Sequence, residues 1–174
     1  NPYYSDEPKL SFRDPFYFGN DDKKYILFCG KDKTKPKGKK GCVGIVEETS
    51  KNKFEWLPPL FSPGEYSDGL ECPALYHLNN CWYLLYGLDS HNSSYHQFCY
   101  VVSEAGPFGP FHKPQNNVLL PQGYYVSRIV KFGSKILLYA WFRDFSDGLV
   151  RERLSGPYEV SFDGQGLINL NFKI

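Results

Sequence analysis

Apolar residues in this chain come in short alternating runs rich in Tyr, Phe, Val and Ile, and clusters of Gly, Pro, Asn and Asp separate them. A period of two predicts strands with one face turned towards a core, and the separators predict turns. Almost nothing carries helical spacing. An all-β chain is expected.

The strands recur in sets. Phe16-Tyr17-Phe18, a turn around Gly19-Asn20-Asp21-Asp22 and Tyr25-Ile26-Leu27-Phe28-Cys29-Gly30 make one hairpin. Ala74-Leu75-Tyr76, a turn at Asn79-Asn80 and Trp82-Tyr83-Leu84-Leu85-Tyr86-Gly87 make a second. Ser127-Arg128-Ile129-Val130-Lys131-Phe132, a turn at Gly133-Ser134 and Lys135-Ile136-Leu137-Leu138-Tyr139-Ala140-Trp141 make a weaker third. Aligning Pro15, Pro73 and Ser127 gives steps of 58 and 54 residues, and a period of this size marks a repeat architecture. Each copy continues into a later strand: Cys42-Val43-Gly44-Ile45-Val46, Phe98-Cys99-Tyr100-Val101-Val102 and Leu149-Val150-Arg151-Glu152-Arg153. The last two run into Gly106-Pro107-Phe108 and Gly156-Pro157-Tyr158, read as turns before a short outer strand. Hairpin, third strand and outer strand form a four-stranded antiparallel propeller blade. Three blades are expected, over residues 11–63, 69–121 and 124–174 of a single domain spanning 1–174.

Just before the first two hairpins stand Phe12-Arg13-Asp14-Pro15 and Leu70-Glu71-Cys72-Pro73. Propeller repeats set equivalent positions of their innermost strands side by side around a central channel, so Asp14 and Glu71 should meet at its mouth. Either carboxylate alone reads as a turn starter or a loop cap. In register across a repeat, and lined by aromatics, the pair is what glycoside hydrolysis requires: one acid to protonate the leaving oxygen and one carboxylate to stabilise positive charge at the anomeric carbon. Arg13 adds a fixed cation.

These segments resemble the RDP and ECP motifs of glycoside hydrolase family 32, the invertases, inulinases and levanases. Matching phrases follow in the same order over residues 11–165: Gly41-Cys42-Val43-Gly44, Trp56-Leu57-Pro58-Pro59-Leu60-Phe61-Ser62-Pro63-Gly64, Trp82-Tyr83-Leu84-Leu85, Gly106-Pro107-Phe108 and Tyr124-Tyr125. The resemblance implies a five-bladed propeller acting on fructose-containing saccharides. It assigns Glu71 as the general acid/base, Asp14 as the residue that holds sugar hydroxyls and stabilises the transition state, and Arg13 as a substrate or carboxylate contact. It also marks a departure. The family's nucleophile lies in an Asn-Asp-Pro segment of an earlier blade, no such segment occurs here, and a five-bladed ring at this period needs about 280 residues. Asp6-Glu7-Pro8 sits too close to Asp14 to form a separate upstream blade, and Asp144 and Asp147 are placed in a loop.

Three readings follow. The chain is part of a glycosidase completed by a second chain or by self-association; or it binds saccharide without turnover, with Trp56, Trp82, Tyr124 and Trp141 either stacking on the ligand or packing between blades; or it follows the related family 43 pattern of arabinofuranosidases and xylosidases, with Asp14 as base and Glu71 as acid in an inverting reaction.

Composition narrows the partners. The 174 residues are 41% hydrophobic and 18% aromatic, enough for a packed core, and the net charge of +1 gives no basic footprint for nucleic acid. Six lysines between Lys31 and Lys40 read as a solvated loop or as a contact for a polyanion. No run reaches the roughly 18 apolar residues of a membrane helix, so a soluble chain is expected. Cys29, Cys42, Cys72, Cys81 and Cys99 match no zinc or CxxC spacing, and most fall on strands as buried thiols do. His91 and His96 have no acidic ligand nearby, and no Gly-rich phosphate loop is present, so neither metal nor cofactor is expected. The sequon Asn92-Ser93-Ser94 points to secretion. The chain has no methionine and starts at Asn1, which suggests an excised or partial product.

Overall fold

The computed structural model describes residues 1–5, 11–64, 69–88, 97–121, 123–144 and 151–171. Asp6-Glu7-Pro8, His91, His96, the Asn92 sequon, Asp147 and Leu149-Val150 lie outside them. Twelve strands and no helix occur among the described residues, in three antiparallel sheets whose spatial order follows the chain. Blade 1 holds β1 (Arg13–Asn20), β2 (Lys23–Lys31), β3 (Gly41–Ser50) and β4 (Lys53–Phe61). Blade 2 holds β5 (Leu70–Leu78), β6 (Cys81–Leu88), β7 (Gln97–Ser103) and β8 (Val118–Leu120). Blade 3 holds β9 (Tyr124–Phe132), β10 (Lys135–Asp144), β11 (Arg151–Phe162) and β12 (Ile168–Asn171).

Two-residue turns close all three inner hairpins: Asn20 pairs with Lys23, Leu78 with Cys81 and Phe132 with Lys135. At Asn79-Asn80 both residues have positive φ, 46° and 60°, the backbone that lets a tight turn match the strand twist. Asparagine tolerates it because its short polar side chain bonds locally.

Alternation then sorts the side chains. Phe16, Leu27, Ile45 and Leu57 stand opposite one another across blade 1 and pack against Leu75, Leu84 and Val101 of blade 2. On blade 2's other face, Ala74, Leu85 and Tyr100 pack against Ile129, Leu138 and Tyr158 of blade 3. Blade 2 is thus the filling of two interfaces. Each fully buried aliphatic side chain there contributes about 1.5–3 kcal/mol. A third cluster forms on the outer face of blade 1, where Tyr4 is wholly buried against Phe28, Cys42 and Val46. Its hydroxyl donates to Leu57 O (2.7 Å) and accepts from the Ile45 N–H (3.0 Å), so the N-terminal segment is tied down.

Two readings need correction. Gly156-Pro157-Tyr158 is no turn but the interior of β11, because the strand bulges there: Gly156 has φ of 106°, and a Cβ would meet Leu138 O at 2.7 Å. Asp144 is the last residue of β10 rather than a loop residue. The lysine loop is anchored as well as solvated: Lys31 and Asp32 are buried, Asp32 accepts from Thr34 N and Oγ1, and Lys33 Nζ donates to Asn1 O. All five cysteines are free thiols on strands, with Cys29, Cys42 and Cys99 buried.

Candidate functional site at the mouth of the inner strands

β1 meets β5, and β5 meets β9, so these three strands line the inside of the arc. Each breaks register near its start. The shift falls between Arg13 and Phe16 in blade 1, between Glu71 and Ala74 in blade 2, and beside Tyr125 in blade 3. Asp14 and Cys72, the residues before the two prolines, sit in the left-handed region at φ of 57° and 49°, which costs an L-residue roughly 1–2 kcal/mol. Such bulges re-aim side chains, and here they turn successive repeats towards one spot.

Counted from the hairpin turns that follow Asn20, Leu78 and Phe132, the positions Phe16, Ala74 and Arg128 are equivalent. Counting back from them, Arg13, Glu71 and Tyr125 are counterparts, and so are Asp14, Cys72 and Val126. The contacts follow this register. Arg13 Nη2 donates to Glu71 Oε1 at 2.8 Å, and the Cys72 N–H donates to Asp14 Oδ2 at 3.0 Å, each across 58 residues, one full repeat. Arg13 Nε also lies 3.8 Å from Asp14 Oδ2. One guanidinium therefore serves both carboxylates and holds Asp14 Oδ2 and Glu71 Oε1 within about 9 Å of each other. Arg13 is what joins Asp14 to Glu71. Glu71 is only 5% exposed, and Asp14 is the more open of the two.

Electrostatics reinforce the cluster. Burial works against the charge on Arg13, but Glu71 and then Asp14 outweigh it, and the guanidinium holds its proton more tightly than usual. Cys29 Sγ lies 3.5 Å from Asp14 Oδ2. Burial first, and Asp14 next, push the Cys29 thiol upwards and the Cys72 thiol up to about 12. Both stay protonated at neutral pH, which removes them as nucleophiles. Beneath the mouth, Arg128 donates to the carbonyls of Ser127 (2.9 Å) and Cys72 (3.3 Å) and lies 5.8 Å over the Phe16 ring. It locks the three inner strands together.

Tyr125 completes the arc. Burial, with the Glu71 charge next, pushes its phenol up to about 12, and Arg143 lies 3.8 Å over its ring while bonding Glu152 at 2.7 Å. The 54-residue step from Glu71 leads to Tyr125, so the repeat itself could have pointed to it. Tyr124, its neighbour, turns into blade 3, where its hydroxyl pairs with Tyr158 and its ring meets Phe142 edge-on. Trp141 pairs with Val126 one strand out from the mouth. Trp56 packs with Tyr4, Phe12 and Phe28 on the outer face of blade 1. Trp82 pairs with His77, about 20 Å along β5 from Glu71, and stacks on that imidazole beside a cleft of about 290 Å³ at the far end of the inner strands. Of the residues picked out in the sequence, Arg13, Asp14 and Glu71 come together, while Trp56 and Trp82 do not join them.

Neither a protein-family model nor a curated protein sequence matches the chain. Solved structures do. Bacillus subtilis levansucrase matches with a TM-score of 0.73 at 14% identity, over 94% of this chain and 50% of that one. A B. megaterium levansucrase variant matches at 0.74 and 14%, over 94% and 49%. A levansucrase variant complexed with sucrose matches at 0.71 and 13%, over 94% and 50%. The three sheets are propeller blades. Levansucrases belong to glycoside hydrolase family 68, a five-bladed propeller family related to family 32, and the chain spans about half their length. At this identity the likeness shows the propeller fold, and nothing finer.

Proposed function

We propose that the mouth of the inner strands is a saccharide site of the fructoside-processing type, in which Glu71 transfers the proton to and from the glycosidic oxygen and Asp14 holds sugar hydroxyls. The observation that carries this reading is the Arg13 bridge, which places a buried and an open carboxylate together at one point of the repeat. The two environments differ, and a difference of this kind is what separates an acid/base from a carboxylate that binds. Asp14 takes a backbone N–H on one oxygen and keeps an open side for hydroxyls; Glu71 stands behind it. Arg13 holds the two apart in a fixed geometry, and Tyr125 walls the far side.

Fructose-containing saccharides are the preferred class because the RDP- and ECP-like segments supply these very residues, and because the matching solved structures include a levansucrase complexed with sucrose. A nucleophilic carboxylate has to come from outside these three blades, since no Asn-Asp-Pro segment is present. Binding without turnover is therefore the second reading, and that missing segment favours it for the chain alone.

Fructose release from sucrose, inulin and levan, measured for the wild-type protein and Glu71→Gln, tests the assignment. Release by the wild type and its loss in the folded variant supports the acid/base role. Equal release by both removes Glu71 from it, and saccharide binding with no release by either leaves the binding reading.

A further inference from the structure

The inner strands converge a second time, at the end away from the mouth. Gly19, His77 and Lys131, each one residue before the end of its strand, are counterparts in the three repeats, as Arg13, Glu71 and Tyr125 are at the mouth. All three line the cleft of about 290 Å³. Its apolar lining comes from every blade: Phe18 on β1, Leu75 on β5 and Ile129 on β9, each buried. Trp82 adds an indole, with the His77 ring stacked on it at 4.8 Å between centroids.

The polar groups set around this lining are donors. Lys131 Nζ gives one hydrogen bond, to His77 O at 3.2 Å, and two of the three donors of its ammonium remain. No carboxylate pairs with it among the described residues, and none lines the cleft. The Tyr76 hydroxyl, which also lines it, accepts from the Ile129 N–H at 3.1 Å, and its own hydrogen has no acceptor among the described residues. Gly19 leaves the space open. A Cβ there would meet nothing closer than Lys23 O, at 3.7 Å, and its φ is not positive, so neither packing nor backbone demands a glycine. Unspent donors and one unpaired positive charge, beside aromatic and aliphatic walls, fit a small anion with a flat apolar body.

We propose that this cleft is a binding site for a small aromatic carboxylate, whose ring lies among Phe18, Trp82 and Ile129 and whose carboxylate is held by Lys131 and the Tyr76 hydroxyl. The volume lies just below the range of roughly 300–1,000 Å³ typical of small-molecule pockets, so one ring and a short acid arm suit it. The proposal rests on the cleft and not on the saccharide reading.

Titration calorimetry of the protein with phenylacetate tests it, with phenylacetamide, acetate and inorganic phosphate alongside. Phenylacetate should bind with a dissociation constant of about 1 mM or below. Phenylacetamide, which has the ring without the charge, and acetate and phosphate, which have charge without the ring, should each bind at least about tenfold more weakly. Lys131→Met should weaken phenylacetate binding at least about fivefold, Lys131→Arg should restore most of it, and Gly19→Leu should abolish it. Unchanged urea midpoints show that the variants keep the fold. The ring NMR signals of His77, identified by their absence from His77→Gln, should move as phenylacetate saturates the protein. No binding of phenylacetate overturns the proposal, and so does binding of the amide or of acetate as tight as that of phenylacetate. Wild-type affinity in Lys131→Met, or saturation that leaves the His77 signals in place, overturns it equally.

Discussion

Replacing Arg13 by Met leaves the Glu71 carboxylate buried beside an apolar thioether. Stripping one partner from a fully buried ion pair costs about 3–5 kcal/mol. Here Glu71 has a side-chain exposure of 7% but Arg13 one of 31%, so water screens part of the loss and about 2–3 kcal/mol is expected. Glu71→Gln keeps an oxygen that accepts from Arg13 and loses only the charge assistance, about 1–2 kcal/mol. Once both changes are made, neither leaves a charge stranded. The double variant should therefore lose only about 2 kcal/mol, giving a coupling of roughly 1–3 kcal/mol. Urea unfolding followed by tryptophan fluorescence reads each corner of the cycle, with a common slope showing that the same surface unfolds. A Lys135→Met control at the open Lys135–Glu159 pair, 4.0 Å apart, should cost under about 0.5 kcal/mol. If the Arg13 and Glu71 changes add to within about 0.5 kcal/mol, the two side chains do not share the site as described.

Gly44→Ala should destabilise by about 1–3 kcal/mol, because a Cβ there stands 2.3 Å from the Phe28 ring, and Phe28→Leu should recover part of the loss in a thermal melt. Stability should fall in alkali. Burial pushes the Cys29 thiol upwards and the Cys42 thiol up to about 12, both wholly buried, whereas thiols of the unfolded chain ionise near pH 9. Above that pH the folded state holds more protons than the unfolded one, so the stability is present in full below pH 9. It then drops by about 1.4 kcal/mol per pH unit for each thiol as pH rises towards 12. Tyr4 and Tyr83, also raised by burial, push the same way from pH 10. A melting temperature that holds steady from pH 8.5 to 11 contradicts the burial of these groups.

Much of this architecture is legible in the residues themselves. Pro15 and Pro73 announce the 58-residue step, and the Arg13–Glu71 and Asp14–Cys72 contacts each join residues that far apart. The hairpin turns are equally plain, because Asn79-Asn80 is chemistry made for positive φ. The finer register is harder. Matching the two carboxylates to each other hides the fact that Arg13, not Asp14, is the counterpart of Glu71. Tyr125 belongs to a matching phrase but is not singled out as a site residue, because the third repeat has Ser127 where the others have proline and no charge flags the position. Aromatic identity gives no sign of which end of a strand a side chain occupies: Trp82 lies at the turn end of its hairpin, and Trp56 on the outermost strand of its blade. Gly156-Pro157 shows the same ambiguity, since a glycine and proline pair serves a bulge within a strand as well as a turn after one.

The most direct test is a crystal structure of the protein soaked in fructose and, separately, in sucrose. The account predicts sugar hydroxyls at hydrogen-bonding distance, about 3 Å, from the open oxygen of Asp14, with Glu71 and the Tyr125 ring on either side and Arg13 still joining the two carboxylates. Sugar seated in the cleft beside Trp82 and absent from the mouth, or Asp14 and Glu71 found apart on separate faces, contradicts it.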